Sequence, residues 1–233
     1  MAAPGDWLYR DAHYLVADME IDAAAARRWV PAPLRLSSPA RASLFTAWFP
    51  ETRFGSVYHE AGLFLHVDHR RRAAVFCPWM LVDDDVALIL GRELLGYPKK
   101  LGVIDVSFEG DRVSSSVSRR GAPLFEMEGT LGARVADPPP VLARPHRNVR
   151  GSLGLALPKV IAFTPRERVL EVRHAELMVR VTGSTRDPIG ELGLGRVLAS
   201  RLHRVDLGGA LPPVPVGLAS PLWFLRQCLL RAH

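Results

Sequence analysis

A chain of 233 residues with 48% hydrophobic content can bury a full core, which excludes a disordered protein and predicts one domain over residues 1–233. Its apolar runs, Val86–Leu90 and Leu153–Leu157, are far shorter than the roughly 20 residues of a membrane span, and Met1–Arg10 lacks the basic start and apolar stretch of a signal peptide; a cytoplasmic protein without a membrane partner is expected. The formal charge of +6 is spread out except at Arg70–Arg72 and lacks interleaved aromatics, so no nucleic-acid partner is expected.

In chain order, Trp7–Met19 reads as an opening strand, and Asp22–Trp29 as a short helix halted before Pro31 and Pro33. Ala42–Phe49, Ala61–Val67 and Ala73–Val82 carry the β-branched and aromatic residues of strands, the last two joined as a hairpin by the polar turn Asp68–Arg72. Asp85 can cap a helix over Val86–Leu95. With little polar surface beyond Arg92 and Glu93, that helix is expected to be buried. Gly96 suits the left-handed position past its end and Pro98 forbids continuation, so Lys99 and Lys100 leave the helix as extended chain. Strand patterns resume at Leu101–Phe108, Val113–Val117, Leu124–Gly129 and Glu171–Val181. Asp137–Pro140 is a rigid connector, Leu211–Val216 a proline-rich turn, and Pro221–Ala232 a final helix. Short strands with few helices predict a mainly β protein, an antiparallel barrel or paired sheets with peripheral helices.

Three lysines stand against 27 arginines, and two of them, Lys99 and Lys100, are adjacent. A solvated charge can be either residue, but a guanidinium cannot act as an amine nucleophile. An ordinary lysine, with a pKa near 10.4, is only about one part in 2,500 free amine at neutral pH. Burial among apolar groups disfavours the charged form, and Leu94, Leu95, Tyr97 and Leu101 flank the pair. Consecutive side chains of an extended segment point to opposite faces, so Lys100 is expected to turn away from Lys99 and pair with a carboxylate elsewhere.

The segment Gly91-Arg92-Glu93-Leu94-Leu95-Gly96-Tyr97-Pro98-Lys99-Lys100-Leu101-Gly102 resembles the signature of the acetoacetate decarboxylase superfamily. Weaker similarity extends to Val30-Pro31-Ala32-Pro33-Leu34, Tyr58-His59-Glu60-Ala61-Gly62, Arg144-Pro145 and Thr182-Gly183. The resemblance implies that Lys99 forms an imine with a carbonyl substrate, that Lys100 assists, and that Glu60 is an active-site acid. It also implies a closed β-barrel with the imine lysine inside and a homo-oligomeric assembly. Two departures accompany it: Ala12 and Phe45 stand where the superfamily has an arginine and a second glutamate, and Arg10 replaces that arginine only with a two-residue shift.

Glu60 has two readings, a buried proton shuttle or a solvated glutamate at the edge of a loop. Glu93 either pairs with an arginine, the favoured reading, or supports the lysines. Cys77 and Cys228 sit in apolar settings and read as buried thiols. The histidines form no HxH or HExxH pair, Ser114–Ser116 lacks a nucleophile elbow, and Gly190–Gly195 lacks the strand–glycine–helix order of a dinucleotide site, so neither metal nor cofactor is expected. The expected function is a Schiff-base lyase acting on a small keto acid or ketone. An aldolase-dehydratase and a non-catalytic binder of an apolar carbonyl ligand are the alternatives.

Overall fold

The structure, a computed structural model, describes residues 7–141, 144–151, 157–208 and 212–232. The run at Leu153–Leu157 therefore lies almost wholly outside the described residues. The first part of the chain forms β1 (Trp7–Ile21), α1 (Ala23–Arg27), β2 (Arg35–Leu36), β3 (Arg41–Phe49), β4 (Glu51–Thr52), β5 (Tyr58–His69) and β6 (Arg72–Val82). Next come α2 (Asp85–Leu95), β7 (Lys99–Leu101), β8 (Val103–Glu109), β9 (Arg112–Arg119) and β10 (Ala122–Arg134). The last part holds β11 (His146–Arg150), β12 (Lys159–Phe163), β13 (Arg166–Val181), a 3-10 turn at Ile189–Leu192, β14 (Leu194–Gly208), β15 (Val214–Leu218) and α3 (Pro221–Ala232). Among the described residues no helix is long and apolar enough to cross a membrane.

The mainly β class holds, but the closed barrel does not. Hydrogen bonding runs along an open path, β15-β12-β11-β6-β5-β3-β1-β14-β13-β10-β9-β8, with β2, β4 and β7 as side branches. The sheet curls until β8 approaches β3 and β5. The ends of the path, β15 and β8, do not pair with each other among the described residues, and the outer edge of β6 is partly taken. There β11 pairs with β6 in parallel at Val75, and β7 pairs in parallel from Met80 to Val82. Those two pairings cover part of that edge, and β8, at the end of the path, pairs with β9 alone among the described residues.

The central strands are buried on both faces, which is why their sequences run apolar rather than alternate. One face of β1, β3, β5 and β6, carrying Leu15, Leu44, Leu63 and Leu81, packs into the core that also holds Phe125, Ile189 and Phe224. The other face, carrying Tyr14, Phe45, Tyr58, Phe64 and Met80, packs toward α2.

The helix α2 departs from expectation in two ways. Its cap is Asp84, whose carboxylate accepts from the backbone of Ala87 at 2.7 Å, and not Asp85, which occupies the first turn. Nor is it buried: Ala87 and Gly91 are enclosed, but Ile89 and Leu94 are 54% and 51% exposed. Small residues one turn apart let the helix approach the sheet along a narrow stripe, which leaves its large side chains outside. Gly96 adopts the left-handed conformation (φ 63°) as expected. The expected proline-rich turn is partly strand, since Val214–Leu218 forms β15. Pro215 is tolerated there because β15 ends the sheet and has a partner only in β12.

Candidate active site

Strand β7 is three residues long, and its register fixes the site. Lys99 lies opposite Met80 and Lys100 opposite Leu81. Met80 belongs to the face packed toward α2 and Leu81 to the opposite core, so the period of two sends the two lysines to opposite faces of the sheet.

On the first face, Lys99 meets Glu60. Residue 60 lies inside β5, which starts at Tyr58, and is therefore not a loop glutamate. It shares a face with Tyr58, Gly62 and Phe64. Both groups are buried, Lys99 at 4% and Glu60 at 7% exposure, and Nζ donates to Oε2 at 2.6 Å. The ammonium also stands over the rings of Tyr58 and Tyr97, 5.7 and 5.8 Å from their centroids. Gly91 of α2 presses on the lysine stem: a Cβ there would lie 2.6 Å from both Cδ and Cε of Lys99 and 3.0 Å from Nζ. Only a glycine lets the helix cover Lys99 without displacing it.

The pair opens into a cavity of about 610 Å³. Leu90, Leu94 and Leu95 of α2 form one wall, and the rings of Tyr14, Phe45, Phe49, Tyr58 and Phe64 form another. Burial, and then the charge of Glu60, pushes the Tyr9 hydroxyl up to about 12 and those of Tyr14 and Tyr58 well above their ordinary range. The Tyr97 hydroxyl is raised too, chiefly by burial. All four remain neutral hydrogen-bonding groups at physiological pH. His146 hydrogen-bonds Tyr97 through Nδ1 at 2.9 Å and stacks on Phe163. Burial and the nearby charge of Arg147 hold it neutral, with a pKa of about 3.

The second lysine faces a different setting. Lys100 pairs with Asp187, which also accepts from the Trp79 indole at 2.9 Å and from Arg119 at 3.2 Å. Burial alone would raise the Asp187 carboxyl, but the hydrogen bond and charge of Lys100, with Trp79 and Arg119, bring it below the usual carboxylate range. Lys100 is not among the cavity-lining residues, whereas Lys99 and Glu60 are. Of the three residues singled out in the sequence, the fold brings two together and places the third behind them.

Several participants carried no sequence signal. Asp187 stands in an Arg-Asp-Pro segment remote from the lysines, His146 lies on β11, and Arg53 is an exposed arginine at the cavity edge. Conversely, Glu93 is exposed and forms no ion pair among the described residues. Cys77 is buried and Cys228 only half-buried.

Residues 1–212 match the acetoacetate decarboxylase (ADC) family. The chain belongs to the acetoacetate decarboxylase family. Among curated relatives, acetoacetate decarboxylase 3 of Mesorhizobium japonicum is 32% identical over 142 residues, 60% of this chain and 54% of that protein. Acetoacetate decarboxylase of Chromobacterium violaceum is 30% identical over 129 residues, 55% of this chain and 51% of that protein. The chain thus aligns with about half the length of these relatives. A solved acetoacetate decarboxylase structure superimposes with a TM-score of 0.82 at 18% identity, covering 93% of this chain and 91% of the other. The enduracididine biosynthesis enzyme MppR complexed with pyruvate gives 0.73 at 19% identity, with 91% of each chain covered. These likenesses establish the fold.

Within this acetoacetate decarboxylase frame, the two departures noted in the sequence have definite positions. Ala12 is fully buried in the aromatic face, and Phe45 lines the cavity, its ring stacked on Phe64 with centroids 5.3 Å apart. Arg10 is half exposed, lies 3.5 Å from Glu51, and is absent from the cavity lining.

Proposed function

We propose that this protein is a carbon–carbon lyase that binds a ketone or 3-oxo acid as an imine on Lys99. The observation that carries this reading is the buried Lys99–Glu60 pair at 2.6 Å on the wall of an apolar cavity. Family membership supports the same chemistry.

Glu60 and Lys99 divide the work. Glu60 takes one proton from the Lys99 ammonium, and the free amine attacks the substrate carbonyl carbon. Glu60 passes its proton to the alkoxide, takes the second proton from the carbinolamine nitrogen and delivers it to the hydroxyl, which departs as water and leaves the iminium. Its positive nitrogen draws the electron pair of the neighbouring carbon–carbon bond. In a 3-oxo acid, carbon dioxide leaves and an enamine forms. Protonation of the enamine carbon and hydrolysis then release the ketone and restore Lys99. An acid–base group at hydrogen-bond distance from the nucleophile supplies the geometry that such proton transfers need. Lys100, held by Asp187 on the other face, positions β7 and does not touch substrate.

Aldol condensation with dehydration is a second reading. It is favoured by a structural neighbour, MppR complexed with the condensation product of pyruvate and imidazole 4-carboxaldehyde, and by a cavity with room for two reactants. The two branches share the imine and differ in the bond broken or formed after it. The shared step is tested by borohydride reduction in the presence of acetoacetate, pyruvate or a simple ketone, with peptide mass analysis of the product. Wild type is expected to gain the reduced adduct at Lys99 and Lys99→Arg none, because a guanidinium forms no imine. Wild type without adduct sinks the proposal. Carbon dioxide release from acetoacetate marks decarboxylation, and a conjugated product from pyruvate with an aldehyde marks the aldol branch.

A further inference from the structure

The cavity is much larger than the chemistry at Lys99 and Glu60 requires. Its volume of about 610 Å³ equals roughly twenty water molecules at about 30 Å³ each. It falls among pockets that enclose drug-sized ligands, about 300–1,000 Å³. A four-carbon keto acid would leave most of it empty.

The lining states what the remaining space is for. Two rigid ring pairs form its aromatic wall: Phe49 and Tyr58 stack at 4.5 Å with 18° between planes, and Phe45 and Phe64 stack at 5.3 Å with 10° between planes. Opposite stand the leucines of α2, and Leu94 carries the apolar surface out to the exposed mouth. The charges of the lining are placed: Lys99 holds Glu60, Glu167 accepts from the backbone of Val141 at 2.7 Å, and Arg53 stands exposed at the cavity edge. The tyrosine hydroxyls stay neutral. An interior of this kind offers water few partners and favours an apolar occupant.

We infer that the substrate is a carbonyl compound with a bulky apolar tail, an aryl or medium-chain alkyl group, whose carbonyl reaches Lys99 while the tail fills the space between the stacked rings and α2. This rests on the imine reading above and narrows it. A substrate with only a methyl or carboxymethyl group beside its carbonyl is a poor fit. The tail contributes affinity in proportion to the apolar surface it buries, about fourfold for each methylene added.

The test uses the whole chain and a homologous series: acetone, 2-pentanone, 2-heptanone, 2-nonanone and 4-phenyl-2-butanone, trapped by borohydride and quantified as adduct on Lys99. The half-saturating concentration is expected to fall about fourfold per methylene up to 2-nonanone, with 4-phenyl-2-butanone among the tightest. The carbonyl-free alcohols 2-pentanol, 2-heptanol and 2-nonanol, measured by titration calorimetry, should show the same dependence on length. Leu95→Trp, which narrows the cavity, should move the optimum to shorter chains. Trapping with no dependence on length, or weaker beyond acetone, overturns the tail assignment while leaving the imine intact. Length-dependent binding of the alcohols without any ketone adduct overturns the imine reading and leaves the tail site standing.

Discussion

Two adjacent lysines of one short strand occupy opposite faces of a sheet, and their surroundings differ in the way that separates chemistry from architecture. Each is buried and each meets a carboxylate. Lys99 and Glu60 border a cavity, so a third molecule can reach both. Lys100 and Asp187 lie away from that cavity, and Trp79 and Arg119 also donate to the carboxylate. A buried ion pair held by further donors fixes structure in place, whereas one beside open space can exchange its partner for a substrate.

Substituting the two carboxylates sets the faces against each other. Glu60→Gln should lower turnover of a substrate that wild type converts by about 10²–10⁴, the usual contribution of a positioned acid–base group, with a smaller stability loss than at Asp187 because it leaves one cation and not two without a carboxylate. Asp187→Asn should instead cost about 3–5 kcal/mol of stability, the effect of breaking a buried pair, as it leaves Lys100 and Arg119 facing each other. Chemical denaturation and steady-state assays on both variants decide the matter. If Asp187→Asn is as stable as wild type, the core face does not hold β7 as described.

Gly91→Ala probes the Lys99 face alone. Alanine favours the helix by about 1 kcal/mol over glycine, but its methyl group would collide with the lysine stem. The expected result is near-normal melting with imine trapping slowed about tenfold, of the order a misplaced reacting group produces. Unchanged trapping would mean that Lys99 accommodates the methyl group without losing its alignment.

A last contrast separates the faces by pH. His146, with a pKa of about 3 in the fold and about 6.5 when unfolded, binds fewer protons when folded. Its contribution is complete above about pH 6.5 and declines below it by about 1.4 kcal/mol per unit down to about pH 3. Asp187, also lowered, contributes above its unfolded value near 3.9 and loses that contribution only as pH falls below it toward the folded value. Wild type should therefore lose stability faster than His146→Asn between about pH 6.5 and 4, whereas Asp187→Asn should differ from wild type in slope only below about pH 4. Stability curves from urea titrations at stepped pH values test both slopes.

Much of the fold was legible in one dimension. The strands β1, β3, β5 and β6 arise from runs of β-branched and aromatic residues, and the end of α2 from Gly96 and Pro98, because both are local effects of backbone freedom and side-chain shape. The opposite orientations of Lys99 and Lys100 come from the pleat. Barrel closure was not legible, since it depends on whether the end strands of the sheet, β15 and β8, meet, which no local pattern records. Nor was the exposure of α2, because an apolar composition does not reveal how closely a helix can approach a sheet. That distance is set by Ala87 and Gly91.

The sequence by itself determined the family, the β-rich class and the placing of a lysine pair in an apolar setting, all of which rest on local pattern and on a motif contained in one segment. Tertiary structure alone decided that Glu60 is the partner of Lys99, that Asp187 is the partner of Lys100, and that Phe45 helps enclose a cavity of about 610 Å³. Those facts join residues 39 to 87 positions apart in the chain, and only the curvature of the sheet and the seat of α2 bring them within reach of one another.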